Sequence, residues 1–132
     1  MEICIKELSI GNLVYYTGKV VRVEQITKHK IGYHTRPNEA RMNYARLCEI
    51  EPIPITEELL TKRKVDEDKY FMFCDNSILT FTKLGDAIWD VKIQVSFPNY
   101  RENIQKIQSI QYLHQLQNAY YFTAHKELEI KL

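Results

Sequence analysis

S-I-Q-Y-L-H-Q-L-Q-N-A-Y-Y-F-T, residues 109–123, is the stretch whose reading decides the fold class. Ile110, Leu113, Leu116, Gln117 and Tyr120 recur at the three-and-four spacing that gives a helix one apolar stripe, and Tyr121 and Ala124 widen it. Such a stripe has to be covered, and the β-rich runs upstream supply a surface. The spacing predicts a long helix, capped by Ser109 and ending near His125, laid across a mostly antiparallel sheet. Residues 103–108 read either as a last short strand or as the first turns of that helix. The polar face carries Gln111, His114, Gln115 and Asn118, none of them diagnostic of catalysis.

Upstream, L-V-Y-Y at 13–16 and V-V-R-V-E-Q-I at 20–26 are β-rich runs joined by T-G-K, whose glycine can take the positive φ of a tight turn. A strongly bent strand pair after a short lead-in is how small SH3-like barrels begin, which extends the fold-level analogy to part of such a barrel. Residues 27–43 show no period and contain Gly32 and Pro37, so they read as a long exposed loop. Residues 44–50 resemble another strand, with Ala45 and Leu47 on one side. Pro52 and Pro54 cannot donate to a ladder, which places that segment at an edge or leaving the sheet.

Thr56 is a natural cap for a short helix over residues 57–63, with Glu57 and Glu58 in the first turn and Lys62, Arg63 and Lys64 at its end. Runs at 70–74, 78–82 and 87–95, separated by D-N-S and L-G-D turns, read as a meander. In the last run Trp89, Val91, Ile93 and Val95 alternate with polar residues and mark the buried face. Phe97 and Tyr100 read as exposed aromatics, and residues 128–132 alternate as a closing strand or tail.

At 132 residues, with 45% apolar and 27% charged residues, the chain fits one folded α+β domain over residues 1–132. A formal charge of +1 gives no global bias toward nucleic acid, acidic substrates or membranes. Residues 1–8 lack the pattern of a secretory signal, and no apolar run approaches the roughly 18 residues of a membrane span, so the expected location is the cytoplasm with no membrane partner. Cys4, Cys48 and Cys74 are isolated among apolar neighbours and read as small buried hydrophobes in a reducing compartment.

L-S-I-G-N-L-V-Y-Y at 8–16, P-I-P-I-T-E-E-L-L at 52–60, Y-L-H-Q-L-Q-N-A-Y-Y-F-T at 112–123 and E-L-E-I at 127–130 follow one another in an order that resembles one family. It is similar to the small uncharacterised proteins of prophages and mobile elements in gut Bacteroidetes, with H-Q-L-Q-N at 114–118 the most specific match. His125 departs from that pattern, standing where those proteins usually carry the glycine that ends the helix. The resemblance implies a genetic setting and no mechanism.

Four constellations bear on function. Lys19, Arg22, Lys28, Lys30, Arg36, Arg41 and Arg46 face only Glu24 and Glu39, a local excess of five positive charges with Tyr33 and Tyr44 interleaved. Cations that track phosphates beside rings that take bases are what single-strand binding needs, although a modest excess in a near-neutral chain favours a solvated hairpin and loop. His29, His34 and Cys48 lack the close spacing of a metal site, so no metal or cofactor is expected. Asp86 and Asp90, or Asp66, Glu67 and Asp68, could serve a small hydrolase as paired carboxylates, but acids at turns are usually solvated and no nucleophile accompanies them. His114, Gln115 and Asn118 form either a polar recognition strip or, the preferred reading, a group in which a buried His114 orients the helix.

The sequence therefore leads to a non-enzymatic binding or accessory protein of a mobile element, acting through a surface on protein or on nucleic acid, the latter through the basic hairpin and loop 19–46, with no catalytic residue assigned. A small hydrolase around Asp86 and Asp90 is the alternative. Partner identity and oligomeric state are not encoded in any recognisable pattern.

Overall fold

The computed structural model describes residues 7–36, 38–60, 64–66, 69–74, 77–96, 104–128 and 130. The chain divides into two compact units, Met1–Ile53 with Tyr112–Asn118, and Pro54–Gln111 with Ala119–Leu132. Every described strand pair is antiparallel, and one short and one long helix complete the α+β class expected from the sequence.

The first unit holds β1 (Leu13–Tyr16), β2 (Lys19–Arg22), β3 (Gln25–Ile26), β4 (Lys30–Tyr33), β5 (Asn43–Arg46), a 3-10 turn at Leu47–Glu49, and β6 (Ile50–Glu51). They form two three-stranded sheets, ordered β2-β1-β6 and β3-β4-β5. Tyr16 pairs with Lys19, so the first hairpin turns on Thr17 and Gly18 alone. Both carry positive φ, 49° and 78°, the backbone of a type I′ turn. The run expected at 20–26 bends at Val23: the Val23 N–H donates to the Asn12 carbonyl at 2.8 Å and the Glu24 N–H to the Gly32 carbonyl at 2.8 Å. One continuous stretch thus serves both sheets, and Val14, Val23, Ile31, Ala45 and Ile50 form the core beneath them. The described strands close no barrel.

The expected loop over 27–43 is overturned. β4 occupies its first half, pairing with β3 and β5, and residues 34–42 form the connection to β5. No periodicity marks this strand, because three successive residues, Ile31, Gly32 and Tyr33, are buried, which erases the alternation a half-buried strand would show. Gly32 is a packing requirement: a Cβ there would collide with the Met42 sulfur and lie 3.0 Å from the Gln25 Cβ.

The second unit holds α1 (Glu57–Leu60), β7 (Lys64–Asp66), β8 (Lys69–Cys74), β9 (Ser77–Lys83), β10 (Trp89–Val95) and β11 (Ile104–Ile110), in sheet order β11-β10-β9-β8-β7. The Thr56 hydroxyl accepts from the Leu59 N–H at 3.3 Å, the cap its side chain predicts. The meander of β8, β9 and β10 stands as read, and Trp89, Val91, Ile93 and Val95 are all buried. Trp89 meets Tyr70 edge-on, ring centroids 5.5 Å apart, and its indole N–H donates to the Ile55 carbonyl at 2.9 Å.

α2 (Leu113–Ala124) contributes to the first unit through Asn118 and to the second from Ala119 onward. It starts three residues later than a cap at Ser109 predicts, because Ser109 and Ile110 belong to β11 and pair with Asp90 and Trp89 of β10. Isoleucines at 104, 107 and 110 imitate a helical spacing, yet seven ladder pairs with β10 prevail and turn Ile107 to solvent. Gln115 caps in place of Ser109, its side-chain oxygen accepting the Tyr112 N–H at 3.1 Å, the reciprocal half of a capping box. At the other end the His125 N–H donates to the Tyr121 carbonyl at 2.8 Å with φ 60°, an αL cap built on histidine. Tyr121, expected in the stripe, is exposed.

Cys48 is exposed on the 3-10 turn rather than buried, and Cys74 is half-buried. Leu128 is buried, but residues 126–128 form no strand. Cys4, Lys62, Arg63, Glu67, Asp68, Phe97 and Tyr100, the first two residues of the D-N-S turn, and Glu129, Lys131 and Leu132 lie outside the described residues.

Two substitutions test this packing by urea unfolding. Trp89→Phe leaves the Ile55 carbonyl without the indole donor and costs about 1–3 kcal/mol, and Trp89→Ala costs about 3–5 kcal/mol through the cavity it leaves. His125→Gly relieves the left-handed cap and raises stability by about 1 kcal/mol.

Candidate nucleic-acid interface

The sheet β3-β4-β5 has two unlike faces. Ile26, Ile31, Tyr33 and Ala45 point to the core side, while the opposite parity places Gln25 on β3, Lys30 and Gly32 on β4, and Tyr44 and Arg46 on β5. Lys30 is the direct cross-strand partner of Arg46, and Gly32 is that of both Tyr44 and Gln25. The Tyr44 hydroxyl donates to the Gln25 side-chain oxygen at 3.2 Å, so the phenol spans the middle strand at Gly32. Tyr44 remains 51% exposed in that position.

Two cations directly opposite one another on a sheet repel. Arg46 has a distant ion pair with Glu49, 3.9 Å apart and largely solvated, and Lys30 has none among the described residues. The pair is a positive spot, screened only by the distant and solvated Glu49, next to an exposed ring. Lys28 stands at the tip of the β3–β4 hairpin, where Thr27 and Lys30 close the turn (Thr27 N–H to Lys30 carbonyl, 2.9 Å).

The remaining residues singled out from the sequence fall elsewhere. Tyr33 is only 8% exposed and packs on Tyr16 with ring centroids 5.7 Å apart, so it offers no ring to a ligand. Burial, then the neighbouring Tyr16 and Glu39, push its hydroxyl pKa up. Lys19 and Arg22 are exposed on β2 in the other sheet, Arg22 lying 3.9 Å from Glu24. Arg36 and Arg41 are exposed in the connection over 34–42. Glu39 organises that connection, accepting from the Thr35 hydroxyl at 2.8 Å, the Thr35 N–H at 3.1 Å and the Asn43 amide at 3.2 Å. These bonds, the Thr35 hydroxyl first, hold its carboxyl below the ordinary range.

His34 bonds Glu24 through Nδ1, His29 is exposed at the hairpin tip, and Cys48 is exposed; among the described residues no group of three or more His, Cys, Asp or Glu is placed to hold a metal. Asp86 is exposed in the turn before β10, and Asp90 faces outward on β10 between Thr82 and Ser109. Among the described residues, no helix is long and apolar enough to cross a membrane.

His114, Gln115 and Asn118 do not form an exposed strip. His114 is 1% exposed, stacks on Tyr112 at 6.0 Å and has Nε2 3.5 Å from a Glu7 carboxyl oxygen. Its Nδ1 has no hydrogen-bond partner among the described residues. Gln115 caps α2, and Asn118 is committed at both ends: it accepts from the Asn12 amide at 2.8 Å and donates to the Glu7 carbonyl at 2.6 Å.

Gln25, Gly32 and Met42 are the members of the candidate face that sequence reasoning missed. Their signal was the parity of K-I-G-Y at 30–33 against Y-A-R at 44–46, which separates Tyr44 from Tyr33 once both segments are strands. The chain matches no protein-family model, no curated protein and no solved structure.

Burial pulls the His114 pKa below its ordinary 6.5, outweighing the carboxylate of Glu7, which raises it. The folded state therefore resists a proton that the unfolded chain accepts, so this contribution is full above pH 6.5 and is lost as pH falls below that value. The melting temperature should fall on acidification from pH 7.5 to 5.5, and His114→Gln should flatten that dependence.

Proposed function

We propose that this is a non-enzymatic accessory protein that contacts nucleic acid through the outer face of β3-β4-β5, in the mobile-element setting of the proteins its anchors resemble. The observation that carries the reading is the Lys30–Arg46 cross-strand pair beside the half-exposed ring of Tyr44. Apposed cations on a sheet cost stability unless something anionic neutralises them, and phosphates do so while releasing their own counterions. Lys28 extends the positive surface at the hairpin tip, and Arg36 and Arg41 add charge in the neighbouring connection. Such a face recognises backbone charge and positions a strand without reading base edges.

The test is fluorescence anisotropy with labelled DNA and RNA over a salt series, comparing the natural chain with the double variant Lys30→Glu and Arg46→Glu. The natural chain should bind at low salt and weaken steeply as salt rises, and the variant should lose at least about two units of the log–log salt slope, roughly one per cation removed. Absence of binding at low salt would overturn the reading.

A further inference from the structure

The outer face of β3-β4-β5 carries more than charge. Tyr44 is a large ring left half in solvent, at a strand position where a solvated face ordinarily carries polar residues. Its hydroxyl is tied to Gln25 across the middle strand, so its orientation is fixed before any ligand arrives. Gly32 makes that span possible, because β4 raises no side chain between Tyr44 and Gln25, and the position its Cβ would take is filled by the Met42 sulfur. Two residues further along the same strand and face stands Arg46, with Lys30 directly opposite. A two-residue step along a strand is about 7 Å, comparable to one extended nucleotide unit.

From this geometry we infer that the face binds a single strand of nucleic acid, one unpaired base stacking on Tyr44 while the adjoining phosphate lies between Lys30 and Arg46. The inference rests on the nucleic-acid reading above and narrows it. A duplex can offer phosphates to the cations, but its bases are stacked on one another and present no free face to an anchored ring. Stacking and phosphate contact both ignore the sugar, so DNA and RNA single strands are equivalent ligands for this pair of contacts. Preorganisation by the Gln25 hydrogen bond lowers the ordering cost of stacking.

The experiment titrates the whole chain with a labelled fifteen-nucleotide (dT) strand, the matching (U) strand and a DNA duplex of the same length at one low salt concentration. The proteins are the natural chain, Tyr44→Ala, Tyr44→Phe and the double variant Lys30→Glu and Arg46→Glu, each checked by circular dichroism for an unchanged fold. The inference expects the single strands to bind alike and more tightly than the duplex. Tyr44→Ala should weaken single-strand binding by about 5- to 100-fold while leaving duplex binding within twofold, and Tyr44→Phe should stay within a few-fold of the natural chain. Equal affinity for duplex and single strand, or single-strand binding indifferent to Tyr44→Ala, would overturn the stacking inference while leaving the charged-face reading standing. If no nucleic acid binds even to the natural chain, both fall together.

Discussion

The carboxamides of Gln117 and Asn118 bind the backbone of residues 7–13, and the first unit is organised around that grip. The Gln117 side-chain oxygen accepts the Leu13 N–H at 2.8 Å and its amide donates to the Gly11 carbonyl at 3.3 Å. Asn118 holds the Glu7 carbonyl and the Asn12 side chain, and Asn12 in turn accepts the Ser9 N–H at 2.8 Å. A side-chain amide presents the donor and acceptor of a peptide, so the helix treats the incoming chain as a partner strand would. Each bond contributes about 1 kcal/mol net, and leaving the buried Gln117 amide unpaired would cost more, which makes the grip specific as well as stabilising. It also locates β1, whose first N–H is already taken, and through the hairpin at Thr17 and Gly18 it locates β2 and the bend at Val23.

The segments legible from sequence are those in which one local rule acts without competition. β8, β9 and β10 alternate cleanly because one face is buried, and Gly18 announces its turn because a type I′ pair demands positive φ. Misreadings occur where two rules conflict. Isoleucines at 104, 107 and 110 satisfy helical spacing, which leaves residues 103–108 open between strand and helix, but pairing with β10 runs through seven residues, Ser109 and Ile110 among them, and the ladder prevails. β4 was hidden because Ile31, Gly32 and Tyr33 are all buried, a pattern with no period at all. The cap at Gln115 depends on a side chain folding back on the residue before the helix, which is visible only once the helix start is known.

The candidate face was half legible. The cations between residues 19 and 46 could be counted from the sequence, but their faces could not be assigned without β4. Pairing then separates them: Lys30, Tyr44 and Arg46 share one surface, Lys19 and Arg22 stand on another sheet, and Tyr33 is in the core. The polar strip weighed on α2 as the lesser reading shows the converse effect. Asn118 looks available on a helical wheel because the wheel cannot show residues 7–12, more than a hundred positions upstream, arriving to occupy it.

That distance has a consequence for how the protein is made. The first unit is discontinuous, joining Met1–Ile53 to Tyr112–Asn118 across the segment that builds the five-stranded sheet. During translation its strands emerge early, yet the amides that fix residues 7–13 are polymerised only after that sheet's last strand. The earlier half must wait, with the backbone of residues 7–13 unheld, for a helix that the ribosome has not yet released. Closing a loop of about a hundred residues is entropically modest at equilibrium but slow to search, so the meander, whose contacts are local, is the part suited to fold first. In the cell, the vulnerable species is therefore a nascent chain carrying a finished meander and an unanchored beginning.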